Sequence, residues 1–526
     1  MHQRNRTRRA GVAPVLLAGV ALTLAGCGAD APDPGPGQAT SAPPTLSTDP
    51  TPVAVQGNVL GLDIEGTVGP LVVDGDLAVL RVELGAIGGE GSLLAGNVFG
   101  NRAISDYDDS FDGVRLVDLD SGVVREAARS VSGKALAELG DQYMIAPGRE
   151  PVVGFVAFDA PTTPTTAVLV PSLGLVEEIP VVAAADADGL TVPVADLAPS
   201  GVDDVVAPTA VLETYSATAD DAVRTRDTGE KVSVNVSSDV LFAVDSADLG
   251  PEADTALEAV ARELALAADG ELVVAGHTDD VGDDAANQDL SERRARAVAD
   301  RLGQVADLGR FDVRVEGRGE REPVTAELTD EARALNRRVT VEFTAADEPV
   351  VAEGSTDGDA VPAAGPTVEG LGGATLEHLD SVGAVQDLHV ELVEVRRAGG
   401  YLVGTLDVRN DGTDYATFVS VLGSVRDGRG DLGSGFLGAS NVTLLDGGVR
   451  VYPVDYLVEP TFYDLNERNV LADLQVGSLN PGVTSRVTVV WPDTGAGTVV
   501  VDVPDGSTTV SDGSTPVRFV DVPVAD

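Results

Sequence analysis

Two regions of the chain repeat a pattern of short hydrophobic runs that are separated by turns. In residues 53–185 the runs are rich in Val, Leu and Ala, as at 77–84 and 152–158, and Asp-Gly, Ser-Gly and Pro-Gly pairs lie between them. The same pattern returns in residues 369–526, for example at 388–395. Short strands at this spacing are typical of all-β sandwiches. The hydrophobic pattern therefore predicts one β-sandwich near each end of the chain.

Residues 230–346 follow a different pattern, in which strand-like runs alternate with segments of helical period. Two segments have apolar residues at helical spacing: Leu257, Val260 and Leu264, and then Ala295, Val298 and Leu302. Alternating valines precede the first of these segments, and the runs at 271–275, 313–315 and 339–343 predict three more strands. The order β-α-β-α-β-β predicts an α+β domain whose two helices pack on one face of a mixed sheet.

Segments rich in Asp, Ala, Pro, Gly and Ser separate these domains. We expect 186–229 and 347–368 to be linkers, because such compositions cannot bury a core and show no hydrophobic period. Residues 27–52 have a similar composition and are expected to form an extended tether. The chain is thus predicted to be multidomain, with the α+β domain between the two sandwiches.

The first 26 residues have the features of a secretory signal peptide. Arginines at positions 4, 6, 8 and 9 precede the apolar run 15–24, which is too short to span a membrane. That run ends in Leu-Ala-Gly-Cys, and Cys27 is the only cysteine of the chain. This ending resembles the lipobox of bacterial lipoproteins, which implies cleavage before Cys27 and a diacylglycerol on its thiol. The alternative is an ordinary signal peptide with an incidental cysteine.

The most distinctive polar motifs of the chain lie in residues 230–346. They are Gly276-His277-Thr278-Asp279 with Gly282, then Asn287 with Leu290-Ser291-Glu292-Arg293-Arg294-Ala295, and finally Asn336-Arg337-Arg338-Val339. These motifs resemble those of the OmpA-like peptidoglycan-binding domain, G-H-T-D-x-x-G, N-x-x-L-S-x-x-R-A and N-R-R-V. The resemblance implies that Asp279 and Arg294 hold the diaminopimelate of the stem peptide. Thr278 is expected to donate a further hydrogen bond there, and Asn287 to brace the loop that presents Asp279.

Each of these residues also has a simpler explanation. Asp279 could cap the loop after its strand, and Arg294 could be one more solvated charge on a helix that also carries Arg293 and Arg296. An Asp and an Arg at the family's spacing nevertheless favour binding over two separate surface charges. We expect His277 to hold the loop rather than to transfer protons.

The chemistry of diaminopimelate matches this pair of residues. Its ε-end carries one ammonium and one carboxylate on a single carbon, so Asp279 can hold the first while Arg294 holds the second. A lysine in the stem peptide lacks the carboxylate and would leave Arg294 unpaired. Losing such a charge-assisted contact costs about 2–4 kcal/mol.

The composition narrows the classes of function. There are 35 Lys and Arg against 85 Asp and Glu, and the formal charge of −50 argues against nucleic-acid binding, which requires clustered cations. A single cysteine excludes a disulfide framework and a Cys-based zinc site, and the four histidines are scattered without a metal motif. No Ser/His/Asp or Cys/His set is apparent. We therefore expect a protein that is not an enzyme and has no catalytic residues, metal or cofactor.

The acidity itself has two interpretations. A charged surface keeps a protein soluble in a dense envelope, whereas specific cation sites would give the carboxylates a function. The best candidate for a cation site is the stretch 106–112, Asp-Tyr-Asp-Asp-Ser-Phe-Asp, although it lacks the spacing of an EF-hand loop. A solvated surface is the simpler interpretation.

One pair of segments suggests that the two sandwiches are copies of one module. Ala146-Pro147-Gly148 precedes the run 152–158, and Asn480-Pro481-Gly482 precedes the run 487–491. The sandwiches resemble the immunoglobulin-like modules of Gram-positive lipoproteins. Chance similarity among valine-rich strands is the alternative.

These features together predict a lipid-anchored cell-envelope protein that binds diaminopimelate-type peptidoglycan non-covalently and tethers the membrane to the wall. The alternative is a surface lipoprotein whose sandwiches bind a cation or an envelope protein, with the central domain only localising it. The preference for Arg over Lys indicates a GC-rich genome. Together with the immunoglobulin-like resemblance, it favours the outer face of an actinobacterial cytoplasmic membrane over an outer membrane facing the periplasm.

Overall fold

The computed structural model describes residues 46–100, 111–187, 189–198, 204–326, 328–345, 361–379, 383–417, 419–423, 438–458, 467–505 and 514–526. The predicted signal peptide, Cys27 and most of the tether lie outside the described residues. Most of the acidic stretch 106–112 and of the linker 347–368 also lie outside them.

Strands dominate the first part of the chain, because its β-branched residues alternate between buried and exposed positions. The elements are β1 (Val53–Val59), β2 (Leu62–Asp74), β3 (Leu77–Gly89), β4 (Leu93–Leu94), α1 (Ala95–Phe99), β5 (Arg115–Asp118), β6 (Val123–Arg125), β7 (Arg129–Ser130), β8 (Ala137–Leu139), β9 (Met144–Ile145), β10 (Val152–Asp159), β11 (Thr165–Val170), β12 (Gly174–Ala183) and a 3-10 helix (Ala184–Asp186). Most of these strands join one sheet, and β12 pairs in parallel with β2.

The structure differs from the linker expected at 186–229. This stretch contains α2 (Val194–Leu197), β13 (Val205–Val206), β14 (Thr209–Val211), β15 (Thr214–Thr218) and β16 (Val223–Asp227). β14 completes the first sheet, in the order β14-β6-β5-β11-β12-β2-β3-β10-β8 with β1 on β2, while β15 and β16 form a hairpin. Tyr215 and Ala217 are buried on one face of β15. Because Asp and Ala are frequent in this stretch, its composition does not indicate the short alternation of buried and exposed residues in β15.

The central domain has a four-stranded sheet and two long helices. Its elements are β17 (Lys231–Ser237), α3 (Ser238–Leu241), α4 (Ala253–Leu266), β18 (Gly270–His277), α5 (Asp284–Val305), β19 (Phe311–Gly319), α6 (Asp330–Asn336) and β20 (Arg338–Thr344). The strand order is β19-β18-β20-β17, with β18 parallel to β19 and the other pairs antiparallel. The sheet is thus mixed.

The long helices coincide with the segments of helical period, and their apolar stripes face the core. Leu257, Val260 and Leu264 of α4 and Val298 and Leu302 of α5 are all buried. The short helices α3 and α6 were not predicted from the pattern. Helix α5 also begins earlier than its apolar stripe indicates, because its first two turns are polar.

The last part of the chain is again made of strands. They are β21 (Thr367–Glu369), β22 (Gly372–Leu379), β23 (Val385–Ala398), β24 (Tyr401–Asn410), β25 (Thr443–Asp446), β26 (Val449–Val451), β27 (Asp455–Val458), β28 (Glu467–Val470), β29 (Thr484–Pro492), β30 (Thr498–Val503) and β31 (Val517–Pro523). One sheet has the order β22-β23-β24-β29. Trp491 is fully buried in this part, and its indole N–H donates to the Val442 carbonyl at 2.8 Å.

The two β-rich parts pack against each other through an apolar interface. One buried cluster takes Val117 and Leu169 from the first part and Val403, Leu471 and Val490 from the last. Arg115, only 4% exposed, donates to the Val470 and Ala472 carbonyls at 2.7 and 2.6 Å. The described β regions therefore share a core, and they are not independent modules on a string.

The central sheet continues into the last part of the chain. β17 pairs with β16, β16 with β15, and β15 with β26, so that the order extends as β17-β16-β15-β26-β25-β30-β31-β21. The hairpin β15–β16 thus bridges two domains by backbone hydrogen bonds. A continuous sheet makes the connection between them stiff, in contrast to a flexible linker.

Four charged side chains reinforce this junction. Arg226 lies 2.9 Å from Glu213 and 2.7 Å from Asp455, and Arg468 lies 2.7 Å and 2.8 Å from the same two carboxylates. Each of the four side chains is at most 14% exposed. Two cations and two anions alternate, so every buried charge has two opposite neighbours.

Candidate ligand-binding site

The site is built where strand β18 ends and helix α5 packs across it. A Cβ at Gly276 would lie 2.1 Å from the Ser291 carbonyl oxygen, and one at Gly317 would lie 2.6 Å from the Glu292 amide nitrogen. Only glycine permits so close an approach of backbone to backbone. The two glycines therefore bring the polar start of α5 beside the loop that follows β18.

Asp279 lies in that loop, and both of its carboxylate oxygens accept hydrogen bonds. Oδ1 accepts from the Val281 amide at 3.2 Å, and Oδ2 accepts from Nη1 of Arg337 at 2.8 Å. The side chain of Asp279 is 15% exposed. Asp279 therefore does cap its own loop, as the simpler explanation holds, and in addition it belongs to an ion pair.

Arg337 is shared between two carboxylates. Besides Asp279, it binds Asp239 of α3 through both Nε and Nη2, at 3.0 and 2.7 Å. The hydrogen bonds that Arg337 donates to Asp239 and Asp279 raise the pKa of its guanidinium above the ordinary value, although burial opposes them. Arg337 thus joins the loop after β18 to the short helix after β17.

Arg294 is held differently from every other arginine on its helix. It is only 5% exposed, its Nε donates to the Ser246 carbonyl at 2.9 Å, and its Cζ lies 5.1 Å from the centre of the Phe242 ring. Among the described residues it forms no ion pair. Burial lowers the pKa of Arg294, while the charges of Asp239 and Asp245 act in the opposite direction.

Two neighbouring arginines on α5 are solvated charges. Arg293 pairs with Asp289 at 2.9 Å and Arg296 pairs with Glu292 at 2.8 Å, each one helical turn apart. Their side chains are 54% and 64% exposed. Arg294 does not share this environment, so the explanation of a merely solvated charge does not apply to it.

Thr278 and Asn287 support the loop. The Thr278 amide donates to the Gly319 carbonyl at 3.0 Å, and its buried hydroxyl makes no hydrogen bond to a described residue. Asn287 donates from Nδ2 to Glu320 at 2.8 Å and to the Val281 and Asp279 carbonyls at 3.3 and 3.5 Å. Asn287 therefore holds the backbone on both sides of the aspartate loop.

His277 is the last residue of β18 and is 1% exposed. Neither ring nitrogen has a hydrogen-bond partner among the described residues. Burial, together with the charges of Arg338 and Arg318, lowers the pKa of His277 to about 3. The imidazole is thus neutral at physiological pH and supports the loop by packing.

The structure brings the four sequence-predicted residues to one end of the central sheet. Asp279 and Arg294 do not touch, but both belong to the sequence of charges Asp279–Arg337–Asp239–Arg294. Neither Arg337 nor Asp239 was among the predicted ligand-binding residues. The signal for Arg337 was present in the Asn-Arg-Arg-Val motif, whereas Asp239 precedes any recognisable motif.

Within the described ranges, no cluster of three or more His, Cys, Asp or Glu side chains is arranged to hold a metal ion. None of the helices in this part of the chain has the length and hydropathy that crossing a membrane requires.

Comparison with known proteins agrees with the motifs. The OmpA family model matches residues 241–337, which include Thr278, Asp279, Asn287, Arg294 and Arg337. The chain is 34% identical over 112 residues to the lipoprotein YfiB of Escherichia coli (strain K12), which covers 21% of this chain and 70% of that protein. The match confirms the family resemblance that the motifs indicate.

Other relatives share the same stretch. Outer membrane protein A of Escherichia fergusonii is 40% identical over 121 residues, 20% of this chain and 48% of that protein. Outer membrane porin F of Pseudomonas aeruginosa is 39% identical over 112 residues, 21% of this chain and 32% of that protein. Among solved structures, the cell wall anchor of the T6SS from Pseudomonas aeruginosa matches at 36% identity with a TM-score of 0.21, over 24% of this chain and 88% of that one. The chain thus spans half or less of these outer-membrane relatives.

Proposed function

Because the chain belongs to the OmpA family through residues 241–337, we propose that it binds peptidoglycan non-covalently and tethers the cell wall to a membrane. The family match lies on the central domain and contains all four residues of the candidate site. The β-rich parts on either side share a core and are joined to this domain by a continuous sheet. A load on the wall-binding domain would therefore pass to the rest of the protein through backbone hydrogen bonds.

The ligand in this proposal is the diaminopimelate residue of the stem peptide. Its ε-carboxylate would pair with Arg294, and its ε-ammonium would approach Asp279. The observation that carries the proposal is Arg294 itself, a 5% exposed guanidinium with no ion pair to a described residue. A buried charge without a direct counter-ion is unfavourable. A ligand carboxylate would supply that counter-ion.

Membrane attachment is proposed to occur through Cys27. The lipobox-like ending of the apolar run and the similarity to the lipoprotein YfiB support this anchor. With a formal charge of −50 the chain is repelled by anionic head groups, so the acyl chains would have to hold it at the membrane. We place it in the cell envelope, on the outer face of an actinobacterial cytoplasmic membrane.

Sedimentation with isolated sacculi tests the proposal. The full chain should sediment with diaminopimelate-type walls and remain in solution with lysine-type walls. Arg294→Ala should abolish retention on the first type, whereas Arg293→Ala, one residue away and 54% exposed, should not change it. Equal retention of the two variants, or of wild type on both kinds of wall, would overturn the proposed site.

A further inference from the structure

The two arginines of the site differ in how fully their charge is already satisfied. Arg337 has carboxylate oxygens at 2.7, 2.8 and 3.0 Å from two aspartates. Arg294 has one backbone carbonyl and one aromatic ring instead. Its Nη1 and Nη2 make no hydrogen bond to any described residue. A planar guanidinium whose Nη edge is unused presents two donors in the geometry that a carboxylate accepts.

The acceptor of the site is, by contrast, already engaged. Asp279 accepts from the Val281 amide on one oxygen and from Arg337 on the other. A ligand ammonium placed there would share the carboxylate with Arg337, 2.8 Å away, and would be repelled by its charge. The remaining lone pairs of Asp279 can accept another hydrogen bond, but Arg337 already neutralises most of the negative charge of this carboxylate.

From this asymmetry we infer that the carboxylate of the ligand dominates recognition, and that the site selects stem peptides whose diaminopimelate carboxylate is free over those in which it is a carboxamide. The inference rests on the proposed function and specifies its substrate class. A carboxamide has the size and shape of a carboxylate but no charge. Its NH₂ group would face the donors of Arg294, so the guanidinium would remain without a counter-ion.

Four synthetic stem peptides that differ at one residue separate the two ends of the ligand. They carry diaminopimelate, its ε-carboxamide, lysine, which lacks the carboxylate, and 2-aminopimelate, which keeps the carboxylate and lacks the ε-ammonium. Affinities for the full chain are measured by calorimetry. We expect the carboxamide and the lysine peptide to bind at least about tenfold more weakly than diaminopimelate, as for loss of one charge-assisted contact. The aminopimelate peptide should bind within about threefold of diaminopimelate.

Each outcome decides between defined alternatives. If loss of the ammonium weakens binding as much as amidation does, or more, the inference is wrong while the proposed function survives. If the diaminopimelate peptide does not bind to the folded chain at all, the proposed site is wrong. Equal affinity for all four peptides would show that the site does not recognise the ε-end of the ligand, and the inference would then be wrong.

Variants of the protein supply an independent measurement. Arg294→Gln should bring the ratio between free and amidated peptide close to one, because the guanidinium that forms no ion pair with a described residue has been removed. Asp279→Asn keeps an acceptor for the Val281 amide and should retain most of that ratio. Arg293→Gln, on the exposed face of α5, should behave as wild type. A ratio that survives Arg294→Gln would refute the assignment even if overall affinity falls.

Discussion

Arg226 and Asp455 form an ion pair across the junction between the central domain and the last part of the chain. The distance from Nη1 to Oδ1 is 2.7 Å, and the Asp455 side chain is fully buried. Arg226 belongs to β16, which extends the central sheet, whereas Asp455 begins β27. The pair therefore lies where a tether would transmit force between the proposed wall-binding domain and the β-rich body.

Replacing Arg226 by Ala is expected to destabilise the protein by about 3 kcal/mol, because it leaves a buried carboxylate with one cation in place of two. Of its two cationic partners in the described part of the chain, Asp455 would retain Arg468, at 2.8 Å. Urea unfolding followed by circular dichroism measures the change.

Arg224→Ala is the matched control on the same strand. Its partner Asp221 is 62% exposed at 3.7 Å, so its loss should cost no more than about 1 kcal/mol. Similar costs for both variants would contradict a special role for the junction.

Gly276→Ala should damage the site through the packing of α5. The new methyl group would lie 2.1 Å from the Ser291 carbonyl oxygen, an atom of the helix backbone that cannot rotate away. We expect a loss of about 3 kcal/mol or more, together with loss of sacculus binding. Gly303→Ala, in the same helix with its nearest neighbour at 3.9 Å, should instead stabilise by about 0.5–1 kcal/mol. A neutral Gly276→Ala would mean that α5 does not approach β18 as described.

Asn287→Ala tests whether this residue positions the loop rather than contacting the ligand. Its side chain links Glu320 to the carbonyls of Asp279 and Val281, so its removal should loosen the loop and weaken binding about tenfold. Amide hydrogen exchange at Asp279–Val281 should rise in the unliganded protein, which loss of a ligand contact alone would not cause. Asp289→Ala, 70% exposed on the same helix, serves as control. Unchanged exchange would leave Asn287 as a ligand contact only.

The motifs identify the candidate-site residues in the sequence, but they do not show the electrostatics of these residues. Asp279 and Arg294 stand at a family spacing that can be read directly. That Arg337 neutralises Asp279, while Arg294 forms no ion pair with a described residue, depends on the position of Asp239 in a helix of four residues. Such a short helix has no hydrophobic period. Which of two arginines remains available is a tertiary property, and in the proposed function it would decide which end of the ligand is recognised.

The fold could likewise be predicted from the sequence only in part. Helices α4 and α5 have long apolar stripes and were predicted from them, although α5 begins about two turns earlier than its stripe. The hairpin β15–β16 was interpreted as a linker, because Asp and Ala are frequent around it and each strand has only five residues. Its stability comes from pairing with β17 on one side and β26 on the other. Partners that lie far apart in sequence cannot be identified from local composition.

Acid should destabilise the protein through His277. The ordinary imidazole pKa of 6.5 falls to about 3 in the folded chain, chiefly because the ring is buried. As the pH decreases, the unfolded chain takes up the proton first, so the folded state loses stability. The stability that the neutral imidazole contributes is fully present above pH 6.5. It decreases as the pH falls below 6.5 and is lost by about pH 3. Its size is on the order of 5 kcal/mol, at about 1.4 kcal/mol for each pKa unit.

His277→Leu isolates this contribution, since neither ring nitrogen makes a hydrogen bond to a described residue that leucine would forfeit. Urea unfolding at a series of pH values measures the free energy of unfolding of both proteins. As the pH falls from 6.5 to 4, this free energy should decrease less for the variant than for wild type. Parallel curves for wild type and His277→Leu would mean that the imidazole takes up its proton equally in both states, and hence that it is not enclosed behind the aspartate loop.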